Sequence, residues 1–302
     1  MQKGIVLTIG FFDGVHIGHK KLINYVIDYA GKNDFEPEVI TFDKVSKIQQ
    51  GLIFPLKQKI EKIKTLGIKK IDVLKFDIIR KFSPEKFFEE ILLPKRTKAV
   101  IIGQDFCFGY KRKGSVKILK QLCEKNNIVL IVIKDVSIKI NNVIKKISST
   151  IIRRSIVDGK YGLAEKLLGD KYFISGNIVR GYGIGRKLGV PTINFFPEQE
   201  LVLPRGIVAG ECMLGKNTYP AIADIGYIPT IKDLDKIICE VHILSKSFKH
   251  SKYNKKIYFR PINKIREEKK FKDIVLLKKY MYNDILLAKK ILKKNFGGNY
   301  AS

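Results

Sequence analysis

Two of the chain's four histidines fall three residues apart, His16 and His19, in the stretch Gly10-Phe-Phe-Asp-Gly-Val-His-Ile-Gly-His. Residues at that spacing share one face of a helix, so two imidazoles stand side by side. Gly14 and Gly18 let a phosphate approach the backbone. A helix opening here adds unpaired N–H groups and a favourable dipole. The chemistry that suits the segment is handling a phosphate chain. One isolated histidine reads as a structural side chain; two in a single turn favour function. The other two, His242 and His250, lie far along the chain.

A second cluster runs Gly181-Tyr-Gly183-Ile-Gly185-Arg186-Lys-Leu-Gly189-Val-Pro191-Thr192-Ile-Asn194. Closely spaced glycines make a loop able to cover phosphates, Arg186 supplies positive charge, and Thr192 and Asn194 offer oxygen ligands suited to Mg²⁺. Further on, Glu240 and His242 sit two apart in an apolar run, so a strand there puts both on one face.

The elements that must hold these residues divide the chain in two. In the first half, β-branched runs (4–9, 38–42, 71–76, 99–103, 128–133) alternate with helical patterns near 17–30, 56–66, 84–92 and 114–126. That alternation predicts a doubly wound parallel sheet with crossover helices, and the histidine pair lies just past its first strand, where such sheets bind ligands. After about residue 170 the pattern becomes short strands punctuated by glycine and proline (171–180, 208–214, 219–225, 238–244, 256–262), which predicts a small β-barrel. A closing helix over 268–292 carries Phe271, Ile274, Leu277, Met281, Ile285, Ala288 and Leu292 at helical spacing. The expected domains are 1–168 and 169–302.

Composition narrows the function classes. The formal charge of +29 invites a nucleic-acid reading. The excess is spread evenly, however, +14 over residues 1–150 and +15 over 151–302, where a binding arm would be localised. An even lysine excess fits codon bias and a mild attraction for anionic small molecules. No apolar run is long enough to span a bilayer, nothing at the N-terminus reads as a signal peptide, and four scattered cysteines form no metal or disulfide pattern. The expectation is a cytoplasmic enzyme, monomeric or weakly oligomeric, without a specific nucleic-acid or membrane partner.

Set together, these motifs resemble the bacterial bifunctional riboflavin kinase/FMN adenylyltransferase (FAD synthetase) family. The first stretch looks like its FDGxHxGH signature. Gly103-Gln-Asp105-Phe106-Cys-Phe108-Gly109, followed by Arg112 and Gly114, is similar to its GxDFxFG loop, and Ile147-Ser-Ser149-Thr150-Ile-Ile-Arg153 to its ISSTxIR motif. By residue type alone these read as a turn with buried phenylalanines and a serine N-cap. The glycine cluster resembles the kinase signature GxGRxLGxPTxN, Asp224-Ile-Gly226-Tyr-Ile-Pro229-Thr230 resembles NxGxxPT, and Ile265-Arg266-Glu267 followed by Phe271 resembles IRxExxF.

The resemblance implies ATP-dependent phosphorylation of riboflavin to FMN in the second module and adenylylation of FMN to FAD in the first, with Mg²⁺. It makes His16, His19 and Glu240 catalytic, Glu240 as the base that prepares the attacking hydroxyl. ATP and its phosphates fall to Gly10, Phe11, Asp13, Gly14, Gly18, Ser149, Thr150 and Arg153 in one module, and to Gly183, Gly185, Arg186, Gly189 and Pro191 in the other. Flavin falls to Asp105, Phe106, Phe108, Gly109 and Arg266, and metal to Thr192 and Asn194. One departure stands out: where the family has TFxPHP, this chain has Thr41-Phe42-Asp43-Lys44-Val45-Ser46. A chain that kept only the kinase is therefore the alternative expectation. A basic nucleic-acid-binding protein and a non-catalytic flavin carrier are the readings from other classes. Smaller departures are Gly206-Ile-Val208-Ala209 for GVYA and Lys252-Tyr253-Asn254 for LYG.

Overall fold

The computed structural model describes residues 3–45, 51–140, 142–181, 183–198, 200–228, 236–245, 248 and 255–296. Ser46, Tyr182, Pro229, Thr230, His250 and the 252–254 stretch lie outside the described residues. The chain divides into two compact units, residues 1–149 and 150–302.

The first unit runs β1 (Ile5–Ile9), α1 (Ile17–Lys32), β2 (Glu36–Phe42), α2 (Leu56–Thr65), β3 (Lys70–Leu74), α3 (Phe76–Ile79), α4 (Pro84–Phe87) with a π turn at Phe88–Leu92, β4 (Thr97–Gly103), α5 (Val116–Lys125) and β5 (Val129–Ile133). The five strands form one parallel sheet in the order β3-β2-β1-β4-β5. Every residue of β1 is buried, because both faces are covered. Leu7, Ile9, Val100 and Ile102 meet Phe88 and Leu119 on one side, while Val6, Val39, Ala99 and Ile101 meet Ile23, Val26 and Ile63 on the other. The chain leaves β1 towards β2 and later returns to β4 on β1's opposite edge. That reversal opens a crevice at the carboxyl ends of β1 and β4. The His16 turn follows β1 and the Asp105 loop follows β4, so the topology brings both motifs to one end of the sheet. A hairpin of β6 (Ser137–Ile140) and β7 (Val143–Lys146) follows.

The helix α6 (Ser149–Val157) begins at the division between the units. Then come α7 (Tyr161–Leu168), β8 (Ile174–Val179), the single turn α8 (Ile184–Lys187), β9 (Ile193–Phe195), β10 (Gly206–Leu214), β11 (Asn217–Ile228), β12 (Lys236–Ile243), β13 (Lys256–Arg266) and α9 (Ile274–Phe296). The six strands close a barrel in the order β10-β11-β12-β9-β8-β13. Helix α9 begins at Ile274, later than the spacing predicts, and Ile274 itself is 61% exposed. The helix is secured further along by Ala288 and Leu292, both fully buried against Ile207, Ala209 and Ile222. Phe271 precedes the helix and packs on Tyr280. Among the described residues no helix is long and apolar enough to cross a membrane.

Candidate active sites

In the first unit, the turn between β1 and α1 is built from left-handed backbone. Phe12 (φ 52°), Gly14 (φ 81°) and Val15 (φ 41°) all adopt positive φ. Such a conformation is costly for a β-branched residue, and strain of this kind concentrates at functional turns. The turn delivers His16 as N-cap of α1, its Nδ1 accepting from the His19 N–H at 3.3 Å, and the two rings stack at 3.5 Å. Gly18 suits this packing: a Cβ there would stand 3.2 Å from the His16 ring, tighter than ordinary contact. His19 Nδ1 is buried with no hydrogen-bond partner. Burial first, then the neighbouring His16 and Lys59, hold His19 well below the ordinary imidazole range, so it is neutral at pH 7. A neutral imidazole offers one donor and one acceptor.

Asp13 is 3% exposed, and its carboxylate accepts from Ile53 N–H at 3.0 Å. Its placement anchors the turn to the segment before α2. Ser149 Oγ donates to the Asp13 carbonyl at 2.9 Å, so the ISST motif also holds this turn. Thr150 is exposed and Arg153 is buried, both in the second unit.

Beyond β4, Phe106 and Phe108 stack at 5.6 Å, and Phe108 reaches on to Phe87 at 5.5 Å. Phe108 is 6% exposed and belongs to the core beneath the loop, while Phe106 is half-buried above it. Gly109 (φ 72°) must be glycine, since a Cβ would stand 2.9 Å from the Pro84 nitrogen. Asp105 is exposed and pairs with Lys146 of β7. In the departing loop after β2, Asp43 Oδ1 accepts from the Phe76 and Lys44 N–H groups, both at 2.9 Å. These bonds hold its carboxyl below the usual range.

In the second unit a cavity of about 280 Å³ is walled by the glycine loop, residues of β9, β10, β11, β12 and β13, and α9. Cross-strand register places Asp224 (β11) beside Glu240 (β12), and Glu240 beside Asn194 (β9). Gly183, Gly185, Thr192, Asn194, Glu240 and Arg266 thus meet in one cavity, with His242. Arg186, Gly189 and Pro191 lie on the loop but outside the cavity wall, and the Pro191 carbonyl is 2.7 Å from His242 Nδ1. That contact fixes the His242 ring, whose pKa burial lowers.

Burial raises the Glu240 pKa, partly offset by a hydrogen bond from Thr192. Enclosure by the cavity walls, with Glu268 and Glu240 near, pushes Asp224 up to about 7. Arg266 is committed to α9: its Nη2 donates to Asp284 Oδ2 at 2.7 Å and its Nε to the same carboxylate at 3.0 Å. Asn194 Oδ1 is buried without a hydrogen-bond partner. Asp224, Asp284 and, in the first unit, Lys59 are site residues that motif reading did not single out. Asp224 opens the Asp224-to-Thr230 motif, which was the signal the sequence held; its place opposite Glu240 comes from barrel register.

The family model described as FAD synthetase matches residues 1–151, and that described as riboflavin kinase matches residues 168–292. The chain is 36% identical to a bifunctional riboflavin kinase/FMN adenylyltransferase of Buchnera aphidicola from Schizaphis graminum, covering 94% of this chain and 93% of the relative. The chain belongs to this bifunctional family. A Bacillus subtilis protein of the same name is 30% identical over 94% of this chain and 91% of its own. Among solved structures, one titled a macrolide-efflux protein from Streptococcus pneumoniae superposes with TM-score 0.79 at 24% identity, covering 98% of this chain and 96% of that one. At that identity the match speaks for the fold alone. Both family modules are present in the order that the motifs imply, and the barrel is the module matched to riboflavin kinase.

Proposed function

We propose that the chain makes FMN from riboflavin in residues 169–302 and FAD from FMN in residues 1–168. The observation that carries the reading is the barrel cavity, where Glu240, Thr192 and Asn194 converge beneath the glycine loop in a chain matched by both family models. In the kinase step the riboflavin 5′-hydroxyl oxygen bonds to the γ-phosphorus of ATP, the bond to the β–γ bridging oxygen breaks, and ADP leaves. Glu240 takes the hydroxyl proton. Thr192 and the orphaned Asn194 Oδ1 suit Mg²⁺, a hard cation that prefers oxygen. Among the described residues no cluster of His, Cys, Asp and Glu competes as a metal site. When bound, the ion would neutralise phosphate charge.

In the adenylyl step an FMN phosphate oxygen bonds to the α-phosphorus of ATP and pyrophosphate leaves. The chemistry asks of the protein mainly positioning and charge stabilisation. His16, His19 and the backbone from Gly10 to Gly18 serve the triphosphate. The flavin rests near Phe106, Phe108 and Gly109, and in the kinase near Arg266. Residues 152–167 lie between the two family matches. The match to the FAD synthetase model supports the bifunctional reading over a kinase alone. We place the enzyme in the cytoplasm, where ATP and riboflavin meet, as a monomer or weak oligomer.

The test is a chromatographic separation of flavins after incubation with riboflavin, ATP and Mg²⁺. FAD accumulating through FMN is expected. A reaction that stops at FMN, also when FMN is supplied, refutes the adenylyl half, and absence of FMN refutes the kinase half.

A further inference from the structure

Helix α2 carries four lysines, and one of them, Lys59, is 2% exposed on the helix's inner face, one turn before buried Ile63. Burying an ammonium is unfavourable unless its protons are matched and its charge is used. All three of its N–H donors find acceptors: the Phe11 carbonyl at 2.9 Å, the Phe42 carbonyl at 3.0 Å and Thr41 Oγ1 at 3.1 Å. Thr41 Oγ1 in turn donates to the Phe11 carbonyl at 3.2 Å, and the ammonium lies 4.1 Å from the centre of the Phe11 ring.

These acceptors are the carboxyl ends of two neighbouring parallel strands. Phe11 follows β1 in the turn that carries the histidines; Thr41 and Phe42 end β2. Strand carbonyls point outwards there, at the edge where a triphosphate has to bind. With its protons spent, Lys59 has none left for a substrate, so it acts through geometry and field. His16 on the same turn and Lys59 from α2 are the charged or titratable groups that act on His19. Burial brings Lys59 itself down to about 8, partly restored by Asp13 and Asp43. The departing TFDKVS loop keeps Thr41 and Phe42, the two residues that this clasp uses.

We propose that Lys59 is a positioning residue for adenylyl transfer: it clasps the carboxyl ends of β1 and β2, makes that carbonyl edge tolerable to a triphosphate, and so sets the His16–His19 turn. The inference rests on the adenylyltransferase reading of the first unit and goes beyond it.

The test is Lys59→Gln in the full chain: glutamine keeps two N–H donors but loses the charge, the third donor and one atom of reach. FAD formation from supplied FMN and ATP is measured with FMN formation as a control in the same preparation. The expected result is a fall on the order of 100-fold in kcat/KM for ATP, as for a misplaced reacting group. FMN formation stays unchanged, and the His19 ring titrates nearer the ordinary imidazole range in NMR spectra. FAD formation within a few-fold of the parent, or an unmoved His19 titration, overturns the proposal. Should Lys59→Gln prevent folding of the first unit, Thr41→Val keeps the ammonium and deletes one acceptor. It is expected to lose about tenfold, and an unchanged rate overturns the proposal as well. A parent chain that forms no FAD refutes the adenylyltransferase reading instead, and the His19 titration still judges Lys59.

Discussion

Gly181 lies just after β8, exposed, with a backbone conformation open to any residue. A Cβ built there would stand 1.9 Å from Asn194 Nδ2 and 2.8 Å from its Cγ. Ordinary contact begins at 3.4 Å, so in a Gly181→Ala chain the Asn194 amide must retreat by about 1.5 Å. The clash is with a side-chain end, so rotation of Asn194 relieves it at little cost to the fold. Alanine also restricts the unfolded chain, worth about 0.4–1 kcal/mol in its favour. The melting temperature should therefore hold, while Oδ1, one of the two oxygens that suit the metal, leaves its place. A displacement of about 1 Å at a reacting centre costs on the order of 100-fold, about 2.7 kcal/mol in the barrier. The assay is FMN formation against riboflavin concentration at several Mg²⁺ levels, with FAD formation from supplied FMN as the control. We expect the kinase rate to fall by about that factor, with more Mg²⁺ needed and the control unchanged. A Gly181→Ala enzyme with parental kinetics and Mg²⁺ dependence would refute the role given to Asn194.

The other substitutions separate the two reactions or test the frame around them. His19→Ala is expected to abolish FAD formation and spare FMN, read from one chromatogram. Glu240→Gln is expected to do the reverse, lowering kinase kcat by about 10²–10⁴-fold, as loss of a general base does, while FMN supplied directly still becomes FAD. Arg260→Met should lower stability by about 3–5 kcal/mol, because Glu165 (two bonds at 2.7 Å) and Glu211 (3.2 Å) would be left as poorly solvated, unpaired carboxylates. Denaturant unfolding measures this, and a change under 1 kcal/mol would mean that water replaces the arginine.

The strands of the parallel sheet were legible because each is a short β-branched run between helical patterns, and β1 to β5 lie where those runs predict. β9 was not. Its three residues, Ile193–Phe195, sit inside the kinase motif and are too few to show a period, yet they pair with both β8 and β12 and close the barrel. The β6–β7 hairpin was hidden in a lysine-rich segment: β6 alternates over only four residues, Ser137-Ile-Lys-Ile140, too few to establish a period, and β7 is exposed throughout. The delayed start of α9 was missed because Phe271, Ile274 and Leu277 are spaced three apart as in a helix, but the chain up to Arg266 is spent pairing with β10.

Sequence alone determined the chemistry's vocabulary: two histidines in one turn, a glycine loop ending in Thr192 and Asn194, and the order of the modules. Those signals are local, and spacing in the chain preserves them. Tertiary structure decided which groups share a site. Asp224 meets Glu240 only through barrel register, Arg266 turns to Asp284 only because α9 packs beside β13, and Lys59 reaches Phe11 and Thr41 only because parallel strands end side by side. Such meetings depend on how distant segments pair and on where burial forces a charge to find partners, and neither is written in any one stretch of residues.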